Sequence, residues 1–246
     1  MLRALRGSAA PRERWSVTSE QRSSAFKPKH ASSSGVKVEV WSDVACPFCW
    51  LGEHHLLEAA RRSGEPIEVE FRSFELQPNA QSSRPVREYL AEKYGSTAGI
   101  DAAHARLAAS GRAVGIAYDF ERALMANTFD AHRLHHLAKA RGIGGAVMER
   151  FLRARQGEGA DMAHHATLRA LAVEAGLDGA DVDRVLSSDE FAAEVRADEE
   201  QARAYNIRGV PFFVFDGRLA VSGAQPIEVF EQAIAQAKAT GPAISR

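Results

Sequence analysis

Val36-Lys37-Val38-Glu39-Val40-Trp41-Ser42-Asp43-Val44-Ala45-Cys46-Pro47-Phe48-Cys49 is the stretch that decides how this chain folds. Apolar residues alternating with Lys37 and Glu39 have the two-residue period of a strand. That run leads into a Cys-x-x-Cys whose cysteines are the only two in 246 residues. Pro47 suits the first position of a helix, where its missing N–H leaves nothing unpaired. The pattern predicts a strand over 36–41 delivering Cys46 to the start of a helix over 47–62. Unpaired backbone N–H groups and the positive end of the helix dipole favour an anion at that point. A thiol placed there can ionise, and it can form and break a disulfide with a partner three residues on. Thiol redox chemistry is the leading expectation.

Working outward, Ser63-Gly64-Glu65-Pro66 ends the helix, and a second alternating run over 67–74 stops at Gln77-Pro78-Asn79. This is βαβ. Residues 85–190 carry almost no strand signal and are dense in Ala, Leu, Arg and Glu, with helices expected at 84–94, 99–114, 127–141, 144–156, 161–175 and 178–186. Another helix is expected at 189–205. The β pattern then returns in Pro211-Phe212-Phe213-Val214-Phe215, the turn Asp216-Gly217, and Leu219-Ala220-Val221-Ser222. Asp-Gly between two apolar runs is a strong hairpin signal. A last helix spans 226–239. The order is βαβ, a helical insertion, then αββα.

Composition narrows the function classes. The 45% hydrophobic content is enough for a core without disulfide staples. A formal charge of −1 hides seven Lys/Arg against two Asp/Glu in residues 1–35, a balance of +5, which leaves −6 for residues 36–246. A mildly acidic globular part lacks the clustered basic face of a nucleic-acid binder. No apolar run approaches the roughly 18 residues of a transmembrane helix. Residues 1–35 are rich in Arg and Ser and are expected to be a disordered extension, of a composition that transit peptides share. Arginine interrupts the apolar stretch a secretory signal needs, so a soluble, cytoplasmic protein is expected.

Three stretches together resemble the DsbA family of thiol-disulfide oxidoreductases, and within it the FrnE-like branch. They are Val38 to Gly52, Asn127-Thr128-Phe129-Asp130-Ala131-His132-Arg133-Leu134, and Gly209-Val210-Pro211-Phe212-Phe213-Val214-Phe215-Asp216-Gly217 followed by Val221 to Pro226. The resemblance covers about 36–240. It implies an α/β thioredoxin fold (βαβ…αββα) with a large all-helical insertion. The division expected is an extension over 1–35, thioredoxin-fold parts over 36–78 and 189–240, the insertion over 79–188, and a tail over 241–246. The site lies where the two parts meet. The resemblance also implies a cis bond between Val210 and Pro211 that turns the Val210 backbone toward the thiols, where it pairs with an extended substrate.

Cys46, at the N-cap, is the expected nucleophile. Cys49, one turn in and shielded, is the expected resolving thiol that attacks the mixed disulfide and releases the substrate. Pro47 and Phe48 join Val210 and Pro211 as substrate-binding residues, and Trp50, Asn127, Phe129 and His132 are candidates for a groove wall. Asn127 equally suits a helix N-cap, and Trp41 and Trp50 equally suit the core. Ser42 and Asp43 are candidates to order the loop or pass a proton to Cys49.

Zinc at the thiols would need further ligands. His54 and His55 are expected to face solvent, and His132, His135, His136, His164 and His165 lie in the insertion, so no metal is assigned. Substrates are expected to be disulfide-containing proteins or small molecules, handled by a monomer or homodimer without a bound cofactor. The alternative is a glutathione-dependent isomerase or transferase resembling the 2-hydroxychromene-2-carboxylate isomerases, with glutathione as co-substrate. Such relatives use a single Ser or Cys, which the presence of Cys49 argues against. A non-catalytic metal-binding or interaction protein is the third class.

Overall fold

The computed structural model describes residues 35–95 and 98–240. The expected extension over 1–34 and the tail over 241–246 lie outside the described residues. β1 (Val36–Ser42) is followed by α1 (Pro47–Ser63) and β2 (Ile67–Ser73), the βαβ unit read from the sequence. After α8 (Ala192–Ala204) come β5 (Phe212–Phe215), β6 (Leu219–Ser222) and α9 (Ile227–Thr240). The sheet order is β2-β1-β5-β6, with β1 parallel to β2 and antiparallel to β5, and β5 antiparallel to β6. This is the thioredoxin-like arrangement, with β1 in the interior delivering the motif from its end.

Alternation along β1 sets the two faces of the sheet. Val36, Val38 and Val40 are buried while Lys37 is exposed. They join one core with Leu56 and Ala59 of α1, Phe213 and Phe215 of β5, and Phe230 and Ile234 of α9. Phe213 and Phe230 meet edge to face at 4.8 Å. Trp41, on the other face, packs in a smaller cluster with Ala202, Ile207 and Val214. Its indole Nε1 donates to Asp198 O at 3.1 Å, so this tryptophan is core. The expected hairpin forms, with Asp216 and Gly217 both at positive φ, and Asp216 Oδ1 accepts the Lys37 N–H at 2.9 Å.

The insertion is helical, as expected, but carries a short ladder that the sequence does not announce. β3 (Arg84–Pro85) pairs antiparallel with β4 (Leu124–Met125), flanking α2 (Val86–Tyr94) and α3 (Ala98–Ala113). Two-residue strands are too short to show an alternation, and Pro85 masks the signal further. Then follow α4 (Phe129–Ala140), α5 (Gly144–Gly157), α6 (His165–Glu174) and α7 (Gly179–Leu186). α6 begins at His165 rather than 161 because Asp161 makes a turn of its own, its Oδ1 accepting the Ala163 N–H at 3.0 Å. α8 starts three residues later than expected. Buried Arg133 draws the carbonyls of Val185, Ser188 and Glu190 into a non-helical connection ahead of it. Among the described residues no helix is long and apolar enough to cross a membrane.

Asp198 fastens α8 to the sheet. Its carboxylate accepts the Ser73 N–H at 2.9 Å and Arg72 Nη1 at 3.1 Å, and His136 Nε2 lies 3.0 Å away. Burial opposes the charge, but His136 and the Ser73 N–H outweigh it and bring the carboxyl down to about 2.

One residue back in α4, His135 is fully enclosed against Phe71, and burial pushes its pKa well below the ordinary 6.5. A histidine kept neutral by folding binds a proton more readily in the unfolded chain. Its contribution is therefore present above the unfolded value of about 6.5 and is lost as pH falls from there toward the depressed folded value. His132 works in the opposite sense, being raised despite burial by Asp43, so its contribution is full below 6.5 and lost as pH rises through the raised value. We expect His135→Leu to flatten the fall in unfolding free energy between about pH 6.5 and 5, measured by urea titrations across that range. An unchanged slope contradicts the assignment.

Candidate active site

The chain turns from β1 into α1 through Asp43-Val44-Ala45, and buried hydrogen bonds define that turn. Asp43 Oδ1 accepts the Ala45 N–H at 3.1 Å and Oδ2 accepts the Leu76 N–H at 2.7 Å. Asp43 O accepts the Cys46 N–H at 3.0 Å, and Val44 O accepts Gln156 Nε2 from the end of α5 at 2.8 Å. Cys46 is then the N-cap of α1, with extended backbone, and Pro47 opens the helix. Burial would raise the Asp43 carboxyl; His132, 3.5 Å away, and the two N–H donors outweigh it and hold it below 3.8. Asp43 therefore orders the loop, one of the two roles open to it from sequence.

Both cysteines are free thiols, and they are unequal. Cys46 is 5% exposed and its S–H reaches Val210 O at 3.5 Å. Cys49 is 2% exposed, and burial and the neighbouring Cys46 sulfur push its thiol well above its ordinary range, while the Ser42 hydroxyl pulls weakly the other way. The Val210–Pro211 bond is cis, as the resemblance implied. Phe48 stands out at 49% exposed, and a shallow cleft of about 380 Å³ is lined by Arg208, Val210, Pro211, Phe212 and Gly223, among others.

The remaining expected residues divide. His132 is enclosed in α4 and reaches the site through Asp43. Asn127 and Phe129 make their contacts elsewhere. Thr128 is the N-cap of α4, while Asn127 Oδ1 accepts the Phe129 N–H at 2.9 Å and Nδ2 donates to Pro78 O at 3.1 Å, strapping the segment after β2 to the insertion. Phe129 lies under the Arg196 guanidinium at 4.3 Å. Trp50 is buried, its Nε1 donating to Glu149 Oε2 at 3.0 Å, so it packs α1 against α5 rather than lining an open groove. His54 and His55 do not face solvent. His54 is buried, with Nδ1 3.1 Å from Val114 O, and half-buried His55 bonds Gln225 O at 2.7 Å. The insertion and the β6–α9 connection cover the first half of α1 on both sides, which a single helix's periodicity does not reveal. Among the described residues no three His, Cys, Asp or Glu side chains are grouped to hold a metal ion.

Two residues beside the active-site loop are invisible in the sequence. The Tyr118 hydroxyl donates to Pro47 O, between the cysteines, at 2.7 Å, and its ring meets Trp50 edge to face. Burial, together with both sulfurs, pushes its phenol far upward, so it stays a neutral donor. Arg155, 2% exposed in the last turn of α5, has its guanidinium lowered by burial to about 10. Neither belongs to a motif, and both arrive from distant parts of the insertion.

A DSBA-like thioredoxin domain model matches residues 37–235, and the chain belongs to that family. The crystal structure of the probable DsbA oxidoreductase of Streptomyces coelicolor is 41% identical, covering 86% of this chain and 93% of that one at a TM-score of 0.78. A 2-hydroxychromene-2-carboxylate isomerase is 18% identical, covering 81% and 95% at 0.61, and the cytosolic disulfide reductase DsbM of Pseudomonas aeruginosa is 19% identical, covering 83% and 96% at 0.56. The last two share the fold.

The approach of α1 to the Pro211 strand rests on Gly52. A Cβ there would lie 3.0 Å from the Phe213 ring and 3.1 Å from the Pro211 ring. We expect Gly52→Val to destabilise the fold by about 1–3 kcal/mol through overpacking. The denaturant midpoint measures it, and an unshifted midpoint contradicts the close packing.

Proposed function

We propose that the protein is a thiol-disulfide oxidoreductase or isomerase of FrnE-like type, acting on disulfides of proteins or small molecules through Cys46 and Cys49. The observation that carries the reading is the asymmetry of the two sulfurs. Cys46 sits at a helix N-terminus against the Val210 carbonyl, and Cys49 lies beneath it, buried and held protonated. The Cys46 thiolate attacks one sulfur of the substrate disulfide. That S–S bond breaks, a mixed disulfide forms, and the departing sulfur leaves as a thiolate that takes up a proton. Cys49 then gives up its proton and attacks Cys46 Sγ, which releases the substrate as its second thiol and leaves a Cys46–Cys49 disulfide. A high Cys49 value keeps that sulfur idle until the mixed disulfide forms.

The backbone of Val210, beside exposed Phe48 and the cleft along Pro211, is where an extended substrate segment would pair. Glutathione enters as a reducing co-substrate, and no bound cofactor is required. A cytoplasmic setting agrees with a chain whose two cysteines are both in the motif, leaving none for the structural disulfides common in secreted domains. A single-sulfur glutathione isomerase has no use for Cys49.

In insulin-disulfide reduction with glutathione, we expect Cys46→Ser to abolish turnover and Cys49→Ser to accumulate mixed disulfides detectable by mass. No turnover by the wild type, together with glutathione-dependent isomerase activity that survives Cys46→Ser, would overturn the reading.

A further inference from the structure

A hydrogen bond from the insertion reaches into the middle of the dithiol turn. Within Cys46-Pro47-Phe48-Cys49 the Cys46 carbonyl accepts the Cys49 N–H at 3.1 Å, which closes the turn from inside. The next carbonyl, Pro47 O, accepts the Tyr118 hydroxyl at 2.7 Å. No other side chain among the described residues hydrogen-bonds the backbone of residues 46–49. The Pro47–Phe48 peptide has few other anchors, since Pro47 has no N–H to give and the Phe48 side chain stands out in solvent. Tyr118 itself is firmly seated. Its ring stacks on Phe120 at 5.0 Å, Phe120 stacks on His104 of α3 at 4.1 Å, and Trp50 of α1 meets the Tyr118 ring edge to face at 5.4 Å. A Cβ on Gly111 would lie 2.6 Å from the same ring, so α3 leaves it no room to slide. The flanking backbone is tied on both sides, the Ile116 N–H donating to Gly111 O and the Asp119 N–H to Gln156 O, each at 2.8 Å. A phenol held this way is a fixed post, and burial keeps it protonated as a donor.

We propose that Tyr118 is a positioning residue for the second thiol exchange, holding the Cys46–Cys49 turn in the geometry from which Cys49 attacks. The proposal rests on the oxidoreductase reading and goes beyond it by assigning a residue of the insertion to one step. In that step glutathione is joined to Cys46 by a mixed disulfide. Cys49 gives its proton to solvent and attacks Cys46 Sγ, the bond from Cys46 to glutathione breaks, and glutathione leaves as a thiolate that takes up a proton. Over the two exchanges, glutathione disulfide gains two electrons from the dithiol and becomes two thiols. The second attack is intramolecular, so its rate follows how closely the held geometry matches the approach of one sulfur to the other. Cys46 at the N-cap and Cys49 in the first turn are connected through Pro47 and Phe48, and pinning Pro47 O removes freedom from that connection. The first exchange differs, because there Cys46 meets a disulfide arriving from solution. Loss of the hydroxyl therefore falls on release rather than on capture.

The test mixes glutathione disulfide with the reduced full chain as wild type, Tyr118→Phe and Phe120→Leu, with folding checked by circular dichroism. Cysteine states are followed in time by acid quenching and mass. Tyr118→Phe keeps the ring and removes only the hydroxyl. For it we expect the glutathione adduct to form on Cys46 at the wild-type rate and its conversion to the Cys46–Cys49 disulfide to slow about fivefold, the worth of one hydrogen bond. The adduct then builds up transiently. Phe120→Leu keeps the hydroxyl but loosens its support, and it slows the same step by a smaller factor. A folded Tyr118→Phe with an unchanged release rate, or one in which both steps slow alike, overturns the proposal. If Tyr118→Phe does not fold, Phe120→Leu decides, and a release rate equal to that of the wild type overturns it. A wild type that cycles with glutathione while Tyr118→Phe is unaltered removes only this proposal. A wild type that never forms the Cys46–Cys49 disulfide removes the oxidoreductase reading itself.

Discussion

The carboxylate of Asp43 is the fixed point of this molecule. It is buried, lies three residues before Cys46, and accepts N–H groups from its own loop and from the segment after β2 while pairing with His132 of the insertion. Each partner belongs to a different part of the chain. A buried carboxylate left without them would carry a heavy desolvation penalty. The ends of β1 and β2 and the start of α4 are consequently held together wherever the carboxylate is charged, and the Cys46 N-cap inherits its position from that junction. Asp198 repeats the device one turn further along α4, tying α8 to β2 and to His136.

The thioredoxin part and the insertion contribute different things to the site. The first supplies geometry: an N-cap for Cys46, the Val210 carbonyl opposite, and a helix whose first turn hides Cys49. The second supplies environment. α3, α5 and the segment around Tyr118 pack over α1, leaving the two thiols nearly dry beside a neutral phenol. In such a low-dielectric pocket each charge matters more than it would at the surface. Phe48 and the cleft along Pro211 remain open to solvent.

Much of this was legible in the sequence, for identifiable reasons. Strand alternation at Val36–Trp41, Pro47 at the first helical position, and Asp216-Gly217 between apolar runs are local signals, and each formed the element expected. The Cys-x-x-Cys and Val210-Pro211 were recognisable because family motifs are contiguous. What stayed hidden depends on distant packing. His54 and His55 read as solvent-facing on an isolated helix, yet Val114 and Gln225, far away in sequence, cover them. Asn127 sits inside a recognisable motif but works as a strap at Pro78, a contact that no local pattern records. Tyr118 and Arg155 carry no signature at all, since a tyrosine after a helix and an arginine in a helix's last turn are ordinary surface features until the fold turns them inward.

The account stands on Cys46 and Cys49 acting as one reversible couple. The most direct test is to equilibrate the wild-type protein in glutathione buffers of graded ratio and map its cysteines by mass after acid quenching. The account predicts a single intramolecular Cys46–Cys49 disulfide that interconverts with the dithiol as a two-electron couple. A stable glutathione adduct on Cys46 with Cys49 still a free thiol, at every buffer ratio, would contradict it.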